Sequence, residues 1–155
     1  MKIIKNWLEK DLAWRVRNYL LEQPYTYMAN SHKKSKIKFF NSLFTYENNR
    51  EIYNLGSELI KHFDYNIKII RSYANLQFKG MNGSWHIDDG EHTCLWMATE
   101  SLPKGSGEFK TKKKNIKFDF NKLIIFDAKE THKGMAPTKL NVPRITLAFK
   151  TVRHD

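Results

Sequence analysis

The sequence predicts a mainly β fold, a sandwich or barrel with two helices packed on one side, and two observations predict it. Apolar residues first recur at helical spacing, over residues 7–22 and again over about residues 49–63. From Tyr65 onward the period changes to two, and about eight short alternating runs are separated by turns. No linker or internal repeat divides the 155 residues, so we expect one domain over residues 1–155.

The first part of the chain supplies the helices. One apolar face defines the first predicted helix, which ends before Pro24. A strand is expected over Tyr25–Met28, whereas residues 37–44 could form either a strand or a turn. In the second predicted helix, Gly56 is a weak point because glycine disfavours helix interiors.

The second part is expected to consist of strands joined by turns. Residues 79–83 contain two glycines that can adopt positive φ, and Pro143 stands at the start of the last strand, where proline is tolerated. The predicted strands span residues 66–76, 84–88, 92–100, 108–110, 116–118, 122–126, 131–135 and 144–152.

Composition narrows the class of protein. Apolar residues make up 41% and aromatic residues 14%, which is typical of a globular chain. No apolar run approaches the ~18 residues of a membrane span, and the N-terminus has no signal-peptide pattern. The single cysteine, Cys94, excludes an internal disulfide, fits a reducing compartment and is expected to be buried. We therefore expect a cytoplasmic protein with no membrane partner.

The net charge of +11 could direct the protein to nucleic acid, to an anionic surface or to an acidic substrate. The densest cluster, Lys110–Lys117, has no interleaved aromatic residue, so we interpret it as a solvated hairpin loop. The remaining lysines are scattered along the chain. Nucleic-acid binding therefore has only weak support from the sequence.

A metal site is indicated by the segment Ser84-Trp85-His86-Ile87-Asp88. On a strand, His86 and Asp88 point to the same face and can aim at one point, which provides two of the three ligands of a facial triad for non-haem Fe(II). The third ligand must be another histidine. His132 is well placed, after a strongly apolar strand and before a glycine, whereas the others lie in a polar loop, at a helix end, across a turn or at the chain end: His32, His62, His92 and His154.

An anion site is indicated by the last strand. Arg144, Thr146 and Ala148 share one of its faces. A buried arginine needs an anionic partner, and its planar fork suits a carboxylate, to which Thr146 can add a hydroxyl donor.

These elements, in this order, resemble the Fe(II)/2-oxoglutarate-dependent dioxygenases, and most of all their small prolyl 4-hydroxylase-like members. The resemblance covers roughly residues 65–152. It is carried by Arg71-Ser72-Tyr73-Ala74-Asn75, Gly83-Ser84-Trp85-His86-Ile87-Asp88, Gly105-Ser106-Gly107-Glu108, Leu123-Ile124-Ile125-Phe126-Asp127, His132-Lys133-Gly134 and Arg144-Ile145-Thr146-Leu147-Ala148-Phe149-Lys150.

The resemblance implies a double-stranded β-helix, the jelly-roll or cupin-like fold, that binds Fe(II) and 2-oxoglutarate. It implies O2-dependent hydroxylation of a C–H bond, coupled to decarboxylation of 2-oxoglutarate, on a protein or peptide substrate and most of all on a peptidyl residue such as proline. Ascorbate is a further expected requirement. The implied site residues are His86, Asp88 and His132 for the metal, and Arg144, Thr146 and Tyr73 for 2-oxoglutarate.

Two alternatives stay open. One is a dioxygenase or demethylase of nucleic-acid bases on the same scaffold, although that branch carries a second arginine soon after the first, and here the next is Arg153. The other is a non-catalytic jelly-roll binding protein.

The chain also departs from the family pattern at Met97, where many members have a tyrosine. Finally, Asp88→Ala is expected to abolish turnover with the fold intact.

Overall fold

The computed structural model describes the backbone of residues 1–155 and every side chain except that of Met28. Its helices are α1 (Lys10–Leu21), α2 (Arg50–Asn54) and α3 (Gly56–Ile60). Its strands are β1 (Lys2–Ile4), β2 (Thr26–Ala29), β3 (Phe39–Phe44), β4 (Ile67–Gln77), β5 (His92–Met97), β6 (Phe109–Thr111), β7 (Asn115–Ile116), β8 (Lys122–Asp127), β9 (His132–Gly134) and β10 (Arg144–Arg153).

The strands form two antiparallel sheets in the manner of a jelly roll, which confirms the predicted fold class. The larger sheet has seven strands in the order β1-β8-β5-β10-β4-β3-β2, and the smaller has three in the order β7-β6-β9. The last strand, β10, lies in the middle of the large sheet between β5 and β4. The first and the last strand of the region that resembles the dioxygenases, β4 and β10, therefore lie side by side.

Two apolar layers follow from the alternation along the central strands. On one face of the large sheet, Ile145, Leu147 and Phe149 pack in the cluster that also buries the apolar faces of the helices. On the other face, Ala148 packs with β6 and β8 residues between the two sheets. Cys94 is buried as expected. The longest of the described helices, α1, has 12 residues, and none of them meets the length and hydropathy that a membrane-spanning helix requires.

The helices differ from their predicted bounds. The first begins only at Lys10, where the Glu9 carboxylate caps it by accepting hydrogen bonds from two backbone N–H groups. The second predicted helix is two short segments, α2 and α3, that meet at Leu55. A Cβ at Gly56 would lie 3.2 Å from Cδ1 of Ile69, so the glycine allows α3 to approach β4 closely.

Residues 84–88 do not form the predicted strand. Their only ladder contact is an isolated bridge between His86 and His132, in which each residue's N–H donates to the other's carbonyl at 2.9–3.0 Å. The segment is nevertheless extended, and the Asp88 N–H donates to the Ala128 carbonyl at 2.7 Å. Trp85 and Ile87 consequently face solvent, while His86 and Asp88 face inward.

Candidate active site

A cavity of about 410 Å³ opens between the two sheets, and it contains all six site residues that the sequence predicts. The large sheet contributes Tyr73, Thr146 and Arg144, and the bridge region contributes the two histidines and Asp88. Its walls also include residues for which the sequence predicted no role: Phe39, Asn41, Gln77, Thr93, Leu95, Phe109, Phe126 and Gly134.

The structure brings His86, Asp88 and His132 together at one end of this cavity. One ligand atom from each lies within 4.8 Å of the others. Oδ1 of Asp88 is 3.6 Å from Nε2 of His86, and Oδ2 of Asp88 is 3.3 Å from Nε2 of His132. Two imidazoles and one carboxylate therefore converge on one point.

Backbone carbonyls orient both imidazole rings. Nδ1 of His86 lies 2.8 Å from the Ser84 carbonyl, and Nδ1 of His132 lies 2.8 Å from the Glu130 carbonyl. Because a carbonyl only accepts, each Nδ1 carries the proton and each Nε2 lone pair is free for a ligand. Burial lowers the pKa of His86, which also favours the neutral imidazole.

The Asp88 carboxylate has two further partners. Its Oδ2 accepts a hydrogen bond from the Thr93 hydroxyl at 2.7 Å and forms an ion pair with the ammonium of Lys150. Lys150 also donates to Thr93 Oγ1 at 2.9 Å. Burial acts to raise the pKa of Asp88, but the positive charge of Lys150 opposes that shift, and the pKa of Asp88 lies well below its ordinary range.

The sequence did not predict a role for Lys150. It is 0% exposed and lies behind Asp88, outside the cavity lining. The available signal was the alternation of β10, which puts Lys150 on the same face as Arg144 and Thr146. Burial lowers its pKa, and the negative charge of Asp88 opposes that shift.

Arg144 lies at the other end of the cavity and is only 2% exposed. Its Nε donates to the Gly107 carbonyl at 2.8 Å, and its Nη1 donates to Oε1 of Gln77 at 2.6 Å. Its Nη2 is buried without a hydrogen-bond partner among the described residues, and none of their carboxylates lies within ion-pair distance. Burial lowers the pKa of Arg144 to about 9.

Space is left in front of this guanidinium. A Cβ built on Gly134 would lie 3.3 Å from Nη2 and 3.4 Å from Nη1, so glycine at this position keeps the approach to the arginine open. A buried cation with an unused donor and an open approach is arranged to receive an anion.

Tyr73 and Thr146 line the wall between the two ends of the cavity. Burial, followed by the nearby Asp88 charge, raises the pKa of Tyr73 and keeps its hydroxyl protonated. Asn75 also lines the cavity and accepts a hydrogen bond from Asn41 at 2.8 Å. Met97 is fully buried and does not line the cavity, so β5 presents Thr93 and Leu95 to it instead.

Solved structures similar to this chain include three that match it along nearly its whole length. The viral collagen prolyl hydroxylase from Paramecium bursaria Chlorella virus-1 is 16% identical, with a TM-score of 0.66 over 97% of this chain and 94% of that chain. A prolyl hydroxylase from Trichoplax adhaerens, in complex with a hypoxia inducible factor peptide fragment, is 15% identical, with a TM-score of 0.68 over 96% and 82%. HygX from Streptomyces hygroscopicus, with nickel, 2-oxoglutarate and hygromycin B bound, is 7% identical, with a TM-score of 0.71 over 96% and 81%.

The chain has the fold of the 2-oxoglutarate- and Fe(II)-dependent oxygenases. This confirms the predicted double-stranded β-helix. At 7–16% identity these likenesses concern the fold alone. No family model matches the chain, and no curated protein matches it in sequence.

The residues present fit the groups that this oxygenase fold implies. Two neutral imidazoles and one carboxylate, converging at a cavity, are the donor set that non-haem Fe(II) oxygenases use. The unpaired Nη2 of Arg144 at the far end suits the distal carboxylate of 2-oxoglutarate. Fe(II) and 2-oxoglutarate are thus chemically compatible with the two ends of the cavity.

Proposed function

We propose that this protein is an Fe(II)- and 2-oxoglutarate-dependent oxygenase. His86, Asp88 and His132 hold the iron, and Arg144 pairs with the distal carboxylate of 2-oxoglutarate. One observation carries the proposal: the His-Asp-His cluster and a buried arginine with an unused donor lie at two ends of one cavity. The intact cluster and the intact arginine argue against a jelly-roll binding protein without turnover.

The protein's own side chains bind and orient the co-substrate, and they exclude water from the cavity. Thr146 and Tyr73 place hydroxyls along the wall where the co-substrate would lie, and Arg144 fixes its distal end. Phe109 and Phe126 make the adjoining wall apolar, which strengthens electrostatic interactions inside the cavity. When bound together, iron, 2-oxoglutarate and O2 supply an oxidant that hydroxylates a C–H bond while 2-oxoglutarate becomes succinate and CO2.

We propose that the oxidised group is a peptidyl residue, with proline as the first candidate. Support comes from structural neighbours that are prolyl hydroxylases, one of them in complex with a peptide. The cavity is also open at a rim formed by residues 29–31 and by Leu43, which is 62% exposed. The single buried thiol, Cys94, suits a reducing compartment, and we propose the cytoplasm.

A second candidate substrate is a nucleic-acid base. The ammonium groups of Lys112 and Lys133 lie 4.1 and 4.6 Å from the ring centroid of Trp85, beside His86. This basic, aromatic surface and the net charge of +11 favour an anionic polymer. The candidate is second because Trp85 already has two cations over its ring, which leaves less of it free for stacking on a base.

Succinate formation tests the proposal. The protein is incubated with 2-oxoglutarate, anaerobically added Fe(II), ascorbate and O2, alone, with a proline-rich peptide, and with a methylated oligonucleotide. We expect succinate in excess over enzyme, stimulated by the peptide, and none from the His132→Ala variant. Stimulation by the oligonucleotide and not by the peptide would favour a nucleic-acid base as the substrate. Fe(II) binding without succinate under any condition would favour the binding-protein alternative.

A further inference from the structure

Lys150 is a lysine in an unusual place. It lies near the end of β10, is 0% exposed, and makes an ion pair with a single carboxylate, that of Asp88. Its ammonium also donates to the Thr93 hydroxyl at 2.9 Å and lies 5.6 Å from the ring centroid of Tyr73. A buried ammonium is costly unless it is paired, so its position depends on Asp88, and that of Asp88 depends on it.

Thr93 and Lys150 do different things for the same carboxylate oxygen. The Thr93 hydroxyl, by donating to Oδ2 at 2.7 Å, already fixes the orientation of the carboxylate. The ammonium adds a unit of positive charge at the same oxygen, a few ångströms from the point on which the three ligand atoms converge. Orientation and charge can therefore be separated by substitution.

We propose that Lys150 is a positioning residue that serves as the built-in counter-ion of Asp88. It neutralises the buried carboxylate when no metal is bound. The inference rests on the proposed function, because it takes Asp88 to be a metal ligand.

The same charge has a consequence for the metal. A divalent cation held by Asp88 has an ammonium as its neighbour, and like charges at such distances repel inside a protein. Lys150 thus makes the metal-free protein more stable and makes metal binding weaker than the three ligands alone would give. The site exchanges its metal more readily as a result.

The test compares Lys150→Met, which keeps most of the apolar stem, with a matched control. The control is Lys122→Met, which removes the ammonium of another buried lysine outside the cavity. That ammonium lies 2.6 Å from Oδ2 of Asp119. For each variant the melting temperature of the metal-free protein and the dissociation constant for Co(II), used as the probe metal, are measured. Co(II) binding is independent of turnover, so the readout does not require an identified substrate.

We expect Lys150→Met to lower the metal-free melting temperature by roughly 10 °C, as loss of one partner of a buried pair does. We also expect its dissociation constant for Co(II) to fall at least about tenfold, because a repelling charge is removed. Lys122→Met should lower the melting temperature and leave the Co(II) constant unchanged. Weaker or unchanged Co(II) binding by Lys150→Met would overturn the proposal.

A double variant, Asp88→Asn with Lys150→Met, covers the case in which the single variant does not fold. With both charges gone, no buried charge is left unpaired, so the double variant should be more stable than Lys150→Met alone. A double variant no more stable than the single one would also overturn the proposal. Failure of the wild-type protein to bind Co(II) would instead contradict the metal site, and with it the proposed function.

Discussion

Two buried cations on one face of β10 differ in what they are paired with. Lys150 makes an ion pair with Asp88, whereas Arg144 donates to the carbonyl of Gly107 and the amide oxygen of Gln77 and keeps one donor unused. Both are almost completely inaccessible to solvent. The chain therefore compensates one positive charge internally and leaves the other without a counter-ion among the described residues.

The two ends of the cavity therefore have different roles. A paired buried charge contributes to the folded state of the chain itself, and its removal is felt as lost stability. An unpaired buried charge costs stability in the empty protein, and it gains a partner only when an anion binds. Substitutions at the Asp88 end should thus change stability and metal binding, and substitutions at the Arg144 end should change co-substrate binding.

The largest effect is expected from Asp88→Asn. Succinate formation should fall to background, because one of three metal ligands is lost. The metal-free protein should also lose about 3–5 kcal/mol of stability, because Lys150 is left as an unpaired buried charge. Chemical denaturation and the succinate assay measure the two effects. Unchanged decarboxylation of 2-oxoglutarate in this variant would contradict the ligand assignment.

The burial of Asp88 changes an expectation from the sequence. We expected Asp88→Ala to leave the fold intact because the motif was taken to be accessible to solvent. The side chain of Asp88 is only 9% exposed, and its partner Lys150 is fully buried. Any substitution that removes the carboxylate therefore removes the counter-ion of that lysine.

Arg144→Met should act at the other end of the cavity. We expect the 2-oxoglutarate concentration needed for half-maximal turnover to rise roughly 100-fold, as when one partner of a buried, hydrogen-bonded charge pair is truncated. Co(II) affinity should stay within about twofold of wild type, since the guanidinium contacts no metal ligand. Without a bound co-substrate, Arg144→Met should lower the free energy of unfolding by less than Asp88→Asn does. An unchanged 2-oxoglutarate requirement would refute the role of Arg144.

The smallest effects are expected between the two ends. Thr146→Val and Tyr73→Phe each remove one hydroxyl from the cavity wall with little change of shape. Each should weaken 2-oxoglutarate binding by about 2- to 10-fold, the range for one hydrogen bond. Equilibrium titration of the Mn(II)-loaded protein with 2-oxoglutarate measures this. If neither substitution changes the dissociation constant, the two hydroxyls only pack against the co-substrate.

Residues that carry a local pattern could be found from the sequence. His86 and Asp88 stand in a short motif, and Arg144 opens a strand whose alternation is clear, so the architecture and the six cavity residues were accessible without coordinates. The predicted strand at 84–88 was wrong in detail, because only one bridge, to His132, forms there. An extended segment needs no ladder to place alternate side chains on opposite sides.

Residues whose role depends on pairing across strands could not be found. A lysine in a strand is usually exposed, so the alternation that puts Lys150 on the face of Arg144 and Thr146 was not enough to predict its burial. Its burial follows from the register in which it lies opposite Thr93 on one side and Arg71 on the other. The short edge strand β1 was missed as well, since neither its composition nor its period distinguishes it.

The most direct test of the two-ended cavity is the binding of 2-oxoglutarate compared with 2-oxopentanoate, which has the same chain length but lacks the distal carboxylate. Anaerobic calorimetry on the Mn(II)-loaded wild-type protein measures both dissociation constants. We predict that 2-oxoglutarate binds roughly 100-fold more tightly, because only it can use the free donor of Arg144. Equal affinities, or no binding of either 2-oxoacid, would contradict the account.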